Sequence, residues 1–307
     1  MRIVRGIKSL SEQLPNPVLT LGNFDGVHLG HQAIFEKVIE RARAIGGTSV
    51  AFTFEPHPLK VLAPERSLRL LNTFHGKMRL LETAGLDVVI CAKFTRAFAD
   101  QNPEDFAREV LAKTIGVKEV YVGYDYAFGK GREGSIESLK RMGKTYGFEV
   151  GVIEPVSIDT IVVSSSILRD LISAGKIEEA SKLLGRSYAI EGEVVHGAHR
   201  GHTIGFPTAN LHTANEVLPA FGVYAVHADV GGRRFQGVAS IGIRPTFDAG
   251  PVSIEVYLFG FEGDLYGQQM EVQFVKRLRG EEKFSDVDSL VRQIRKDVDE
   301  AMQVLAQ

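Results

Sequence analysis

The 307 residues are enough for two ordinary domains, and 36 basic against 38 acidic residues give a formal net charge of −2. That balance supplies no bulk attraction to nucleic acid or an acidic membrane surface, and the single cysteine, Cys91, excludes an internal disulfide framework and a zinc cluster of several thiolates. No apolar run approaches the roughly 20 residues of a bilayer span, and the opening "MRIVRGIKSLSEQLP" lacks an apolar signal core, so a cytoplasmic protein is expected.

In chain order, Val18–Gly22 reads as a buried strand and is followed by a helical pattern through about Ala44. Further buried strands are expected at Thr48–Phe54, Leu86–Ala92, Lys118–Gly123 and Phe148–Pro155. Between them, "FHGKMRLLETAG" and "NPEDFAREVLAKTIG" read as helices, the second with Asn102 as N-cap and Pro103 at its first position. Continuous apolar strands alternating with helices predict an α/β fold with a doubly wound parallel sheet, which binds ligands beyond the carboxyl ends of its strands. After Gly185 the pattern changes. "YAIEGEVVH", "GVYAVHADV", "RRFQGVASIG", "VSIEVYLFG" and "QMEVQFVKRLR" are strands with no helices between them, which predicts an antiparallel sheet or small β-barrel. From Asp286 onward, Val287, Leu290, Val291, Ile294, Val298, Met302 and Leu305 recur near helical spacing, so a terminal helix is expected. The boundary falls between Leu184 and Tyr188, giving domains 1–185 and 186–307.

Three stretches carry candidate chemistry. In "GNFDGVHLGH", Gly22, Gly26 and Gly30 permit close approach of the backbone, with Asn23, Phe24 and Asp25 between them. The helix that follows offers unpaired N–H groups to an anion, and His28 and His31, three apart, share a face. The pair can be metal ligands, catalytic bases, phosphate donors or partners of local backbone; no third ligand lies at metal-binding spacing beside them. In "VVSSSILRDLIS", Ser164, Ser165, Ser166 and Arg169 form either a simple helix cap with a surface charge or a second polyphosphate-binding helix start. In "HGAHRGHTIGFPTANL", Thr208 and Asn210 point the same way from an extended segment. Their oxygens suit Mg²⁺, or else they bond to backbone in a strand-initiating turn. Glu255 interrupts an apolar strand and faces a pocket or solvent.

"GNFDGVHLGHQ", "FTFEPHP", "VGYDYAFGKGREG" and "VSSSILR", in that order, resemble the adenylyltransferase half of the bacterial bifunctional riboflavin kinase/FMN adenylyltransferases, and thus a nucleotidyltransferase domain. "GFPTAN", "GVYAV", "IGIRPTF", Glu255, "DLYG" and "LRGEEKF" resemble the riboflavin kinase module, so the resemblance spans nearly the whole chain. Two positions depart from the family: Ser166 stands where Thr is usual, which keeps the hydroxyl, and Tyr124 where an acidic residue is frequent.

The resemblance implies two ATP-dependent steps, riboflavin to FMN in the C-terminal domain and FMN to FAD in the N-terminal one. In the first, Glu255 orients the ribityl hydroxyl and accepts its proton. Thr208 and Asn210 hold Mg²⁺, and the 197–206 loop, with Gly201, Gly205 and Pro207, covers the ATP phosphates. In the second, the nucleophile is the FMN phosphate, with a second pKa of about 6, so it needs donors rather than a base. His28, His31 and Arg169 supply them, with Gly22–Gly26 and Ser164–Ser166 at the nucleotide. His57, Pro58, Asp125 and Arg279 are expected on the flavin side, Arg279 being equally readable as a surface charge. Riboflavin, FMN and ATP are then the partners, without nucleic acid or membrane, and a weak homo-oligomer stays open. The competing readings are a nucleotidyltransferase for another acceptor, such as a pantetheine phosphate, and a flavin-holding module that does not use ATP.

Overall fold

The computed structural model describes residues 1–197, 201, 204–243 and 252–306. They fall into two compact units: 1–69 with 74–164, and 70–73 with 165 onward.

In the first unit, six strands among the described residues form one parallel sheet: β1 (Arg2–Arg5), β2 (Val18–Leu21), β3 (Ser49–Glu55), β4 (Val88–Lys93), β5 (Glu119–Gly123) and β6 (Glu149–Ile153). Their spatial order is β1-β4-β3-β2-β5-β6. The helices are α1 (Leu29–Ala44), α2 (Pro58–Leu62), α3 (Phe74–Thr83), α4 (Arg96–Ala99), α5 (Pro103–Asp105, continued by π-wound Phe106–Ile115) and α6 (Ile136–Tyr146). Successive strand residues face opposite sides. Leu19, Leu21, Val50, Phe52 and Ile90 therefore join one core with Phe106, Leu111 and Leu139. Val18, Ala51 and Val89 join another with Phe35, Val38 and Leu81. This double coverage is why the strands read as unbroken apolar runs. Edge strand β1 escaped the sequence reading because only Val4 of its four residues is buried. A small hairpin, β7 (Ser157–Ile158) with β8 (Ile161–Val162), follows the sheet.

The chain leaves β2 toward β3 on one side and returns to β5 on the other. The loop after β2 therefore opens at the switch point of the sheet, where a crevice is built into the topology.

The second unit holds α7 (Ser165–Ser173) and α8 (Ile177–Leu184), then β9 (Tyr188–Val195), β10 (Ala209–Thr213), β11 (Gly222–Val230), β12 (Arg233–Ile243), β13 (Val252–Leu258), β14 (Gln269–Arg279) and α9 (Val287–Leu305). The six strands close an antiparallel barrel in the order β10-β13-β12-β11-β14-β9, shut by the pairing of β9 with β10. Tyr188, Ile190, Tyr224, Val226, Ile241, Ile254, Val256, Val272 and Phe274 fill the buried face by strict alternation. Asp286 caps α9, accepting the Ser289 N–H at 2.7 Å. Ala301 and Leu305 pack with Ala225 of the barrel. Strand β10, which was not among the five expected strands, is the short closing one: it pairs with β13 at only Ala209↔Val256 and Asn210↔Glu255.

The division between the compact units falls before α7 and α8 and not at the expected 184–188 boundary, because α8 buries Ile177, Ala180, Leu183 and Leu184 while packing on β9 and β14. The short segment 70–73 also belongs to the barrel unit. Leu71 is fully buried there, and the Tyr188 hydroxyl lies 3.0 Å from its carbonyl and 2.8 Å from that of Val217. The Leu70 N–H donates to Glu216 at 2.7 Å, and the Thr73 hydroxyl bonds Glu191. Leu71→Ala is expected to destabilise the barrel unit by about 2–5 kcal/mol, seen in calorimetry as a downward shift of that unit's transition alone.

Candidate active sites

The loop from Gly22 to His28 joins β2 to α1 at the switch point. Phe24, at φ 52°, turns its fully buried ring back under the loop, where it meets His31 edge-on at 5.4 Å and Phe35 at 4.9 Å. Gly22 is glycine for that reason: a Cβ there would lie 2.6 Å from the Phe24 ring. Phe24 thus belongs to the core beneath this loop. Asp25 is buried, and the Gln32 amide ties the loop by donating to the Val27 carbonyl at 2.9 Å.

His28 is the N-cap of α1, its Nδ1 accepting the His31 N–H at 3.3 Å. An acceptor Nδ1 leaves the proton of the neutral ring on Nε2, the nitrogen that can donate to an anion. The His28 and His31 rings stack, 3.6 Å between centroids and 17° between planes. Lone pairs in near-parallel planes do not converge on one cation. Two donors side by side at a helix start do suit a phosphate chain.

His57 has the same role one strand over. It is buried, caps α2 with Nδ1 accepting the Leu59 N–H at 3.1 Å, and precedes Pro58 at the first helical position. Asp125 is exposed beyond the carboxyl end of β5, beside exposed Tyr124. Ser164 closes the first unit, whereas Ser165, Ser166 and Arg169 open α7 in the second.

The sequence reading missed an aromatic group near the same carboxyl ends. Phe54, after Phe52 on β3, meets Phe98 at 5.5 Å; Phe98 meets Phe106 at 5.9 Å; Phe106 meets Phe128 at 6.0 Å; and Phe128 stacks on Tyr126 at 5.6 Å. Phe54, Phe98, Tyr126 and Phe128 are only partly buried. They come from separate segments, so no spacing in the chain announces them.

On the barrel, Asn210 and Glu255 are register partners on β10 and β13, and Ser240 of β12 stands opposite Glu255 on its other side. All three project from the face opposite Ile254 and Val256. The Thr208 hydroxyl donates to one Glu255 oxygen at 3.3 Å and the Ser253 hydroxyl to the other at 3.2 Å. Asn210 is buried and Glu255 half-buried. The preceding loop lies close over this ledge: a Cβ on Gly197 would fall 2.1 Å from the Asn210 amide, and one on Gly201 3.2 Å from the Thr208 hydroxyl. Gly201 accepts the Phe206 N–H at 2.9 Å, closing the turn that contains Gly205 before exposed Pro207. Residues 198–200 and 202–203 of the expected phosphate loop, and 244–247 of "IGIRPTF", lie outside the described residues. Hydroxyl, amide and carboxylate oxygens in one group fit a hard cation such as Mg²⁺.

Arg279 is neither on the ledge nor an ordinary surface charge. Its Nε and Nη2 donate to both carboxylate oxygens of buried Asp297 on α9 at 2.8–3.1 Å, and Nη1 donates to the Gly280 carbonyl at 3.0 Å.

A parallel-sheet unit with an anion-ready helix start at its switch point, in one chain with an antiparallel barrel bearing an oxygen-lined ledge, defines a two-module transferase of phosphorylated compounds. A family model described as FAD synthetase matches residues 10–167, and one described as riboflavin kinase matches residues 184–305. The chain belongs to the bifunctional riboflavin kinase/FMN adenylyltransferase family. It is 39% identical over 300 residues to the Escherichia coli K12 protein of that name, covering 97% of this chain and 96% of that one. To the Haemophilus influenzae protein it is 39% identical over 302 residues, 98% of each. A solved structure from Streptococcus pneumoniae, described as a macrolide-efflux protein, superposes with a TM-score of 0.90 at 32% identity, covering 98% of this chain and 99% of that one.

Proposed function

We propose that adenylyl transfer takes place around His28 and His31, within residues 1–185, and riboflavin phosphorylation around Glu255, within residues 186–307. The chain is a bifunctional enzyme of flavin cofactor synthesis: riboflavin and ATP give FMN and ADP, and FMN and ATP give FAD and pyrophosphate.

The observation that carries the kinase half is the gathering of Thr208, Asn210 and Glu255 on one ledge. Glu255 orients the ribityl hydroxyl and takes its proton as the oxygen attacks the γ-phosphorus of ATP. Ser253 and Thr208 hold the carboxylate in place by donating to it, one hydroxyl to each oxygen. Mg²⁺, held at Thr208 and Asn210, would offset charge on the transferred phosphate. Gly197 and Gly201, where a Cβ would meet Asn210 and Thr208, keep the covering segment close above, and Gly205 and Pro207 follow in the same loop.

In the other unit an ionised FMN phosphate attacks the α-phosphorus of ATP, and pyrophosphate leaves. No proton needs to be removed, so the work of His28 and His31 is to donate to phosphate oxygens as charge builds. The backbone from Gly22 through Gly26, with Asn23 and Asp25, shapes the nucleotide side of the loop. Ser164, Ser165, Ser166 and Arg169 are kept as nucleotide contacts on the pattern of the sequence alone. The partly exposed rings of Phe54, Phe98, Tyr126 and Phe128 offer a planar isoalloxazine an aromatic wall, with His57, Pro58 and Asp125 beside it. Arg279 is assigned to holding α9 rather than to flavin. A cytoplasmic location accords with ATP as co-substrate, and no helix among the described residues is long and apolar enough to cross a membrane.

Purified protein given riboflavin, ATP and Mg²⁺ is expected to form FMN and FAD, separated by chromatography. Absence of both, with the flavin oxidised and reduced, would overturn the reading. A flavin-holding module would instead copurify yellow and consume no ATP. His28→Ala is expected to slow FMN-to-FAD conversion by about 10²-fold and to leave FMN formation unchanged. An unaffected second step would make His28 a helix cap only.

A further inference from the structure

Lys77, on α3, is 9% exposed. Its Nζ lies 3.4 Å from the Asn23 carbonyl oxygen, 3.4 Å from the Thr53 hydroxyl and 3.5 Å from the Phe54 carbonyl oxygen. One ammonium therefore bridges the nucleotide loop and the carboxyl end of β3. All three acceptors are neutral, and among the described residues no carboxylate lies within ion-pair distance of it. Two other buried charges have contact partners: Glu119 with Arg41 at 2.6 Å, Asp297 with Arg279 at 2.8 Å. A buried cation without a contact anion is costly, and burial correspondingly holds the Lys77 ammonium below its ordinary value of 10.5.

The loop it touches is itself strained. Phe24 at φ 52° and Val27 at φ 42° lie in the left-handed region that side chains avoid, β-branched ones most of all. A conformation of this kind persists only when its surroundings impose it.

We propose that Lys77 is a positioning residue for adenylyl transfer: its ammonium holds the Asn23 carbonyl, keeping the loop in the form that presents His28 and the start of α1 to the triphosphate. The inference rests on the location of adenylyl transfer given above. Lys77 acts through the loop and touches no reacting atom. The groups that face it are Asp25 from the loop, Glu55 from β3 and Cys91 from β4, and Arg5 of β1 acts on Cys91. Burial pushes the Cys91 thiol up, while the Lys77 charge beside it acts the other way.

The test uses the full chain and follows both reactions. Lys77→Met is expected to lower kcat for FMN-to-FAD conversion by about 10–100-fold, to change KM for ATP much less, and to leave FMN formation unchanged. Lys77→Arg, which keeps the charge, is expected to recover some of the loss. The unsubstituted enzyme should show an alkaline limb in FAD formation falling below pH 10.5, and the limb should persist in Cys91→Ala. Full adenylylation by Lys77→Met overturns the inference, as does Lys77→Arg activity no better than that of Lys77→Met. If Lys77→Met fails to fold by circular dichroism, the pH profile decides, and a flat one overturns it. Loss in His28→Ala with none in Lys77→Met refutes only the role of Lys77. No loss in either refutes the location of the site itself.

Discussion

Glu255→Gln is expected to reduce FMN formation by about 10²–10⁴-fold while FMN-to-FAD conversion continues at the rate of the unsubstituted enzyme. The substitution preserves size and one acceptor oxygen, and an amide still takes a hydrogen bond from Thr208 or Ser253, now held at 3.3 and 3.2 Å. What it removes is the ability to accept a proton from a neutral hydroxyl. The loss should therefore fall on kcat, with KM for riboflavin changed little. Glu255 lies on the barrel face away from Ile254 and Val256, so the core is untouched and melting should not move. Supplying riboflavin and FMN in separate assays distinguishes the outcomes. Equal loss of both activities would show that the reactions share Glu255, and loss of neither would leave it a partner for two hydroxyls.

The asymmetry has a chemical source. One nucleophile in this chain is an alcohol and the other a phosphate that is already ionised. In the proposed assignment, a half-buried carboxylate between hydroxyl donors meets the first and stacked imidazoles at a helix start meet the second. On that assignment the two nucleotide-dependent steps need no common catalytic group.

The parallel sheet was legible because its central strands are covered on both faces, so Val18–Leu21 and Val88–Lys93 read as apolar runs. The strands of the barrel were legible through alternation, as in Tyr188–Val195. Beyond those patterns the signal fades for identifiable reasons. Strand β1 buries one residue, and β10 is short and begins in a loop. The helix α8 looked like the end of the first domain, since its apolar stripe records that it is covered and not what covers it. Segment 70–73 carries no pattern of its own, yet Leu71 is fully buried in the barrel unit.

At the candidate sites, motifs quoted from consecutive residues brought together what they named, such as His28 with His31 and Thr208 near Asn210. Glu255 was singled out by a broken alternation. Lys77 was invisible because a lysine in a helical pattern reads as a solvated charge; only its burial beside Asn23 distinguishes it. Arg279 reads in the sequence as a surface or ligand-binding group because its ion-pair partner lies on another element, 18 residues further along the chain.

That partner gives the largest expected effect on stability. Asp297→Ala is expected to destabilise the barrel unit by about 3–5 kcal/mol. Arg279 is anchored by three bonds to the Asp297 carboxylate, and the Gln293 amide donates to the same carboxylate at 2.9 Å. Its guanidinium also lies over the Phe284 ring, 5.7 Å from the centroid. Removing Asp297, which is 4% exposed, strands a mostly buried cation and loosens α9 from β14. A chain of two units need not unfold in one step, so the two activities are followed separately on heating. Kinase activity should be lost at a temperature lower by about 10 °C or more, with adenylyl transfer lost at its original temperature. The double substitution Arg279→Met with Asp297→Leu removes both charges and keeps apolar bulk, and it should regain much of the loss, since well-packed hydrophobic pairs often match a buried ion pair. If the single substitution leaves the kinase transition in place, the pair is not what fastens the terminal helix to the barrel. If the double variant fares no better than the single one, the loss comes from packing around Asp297 and not from an orphaned charge.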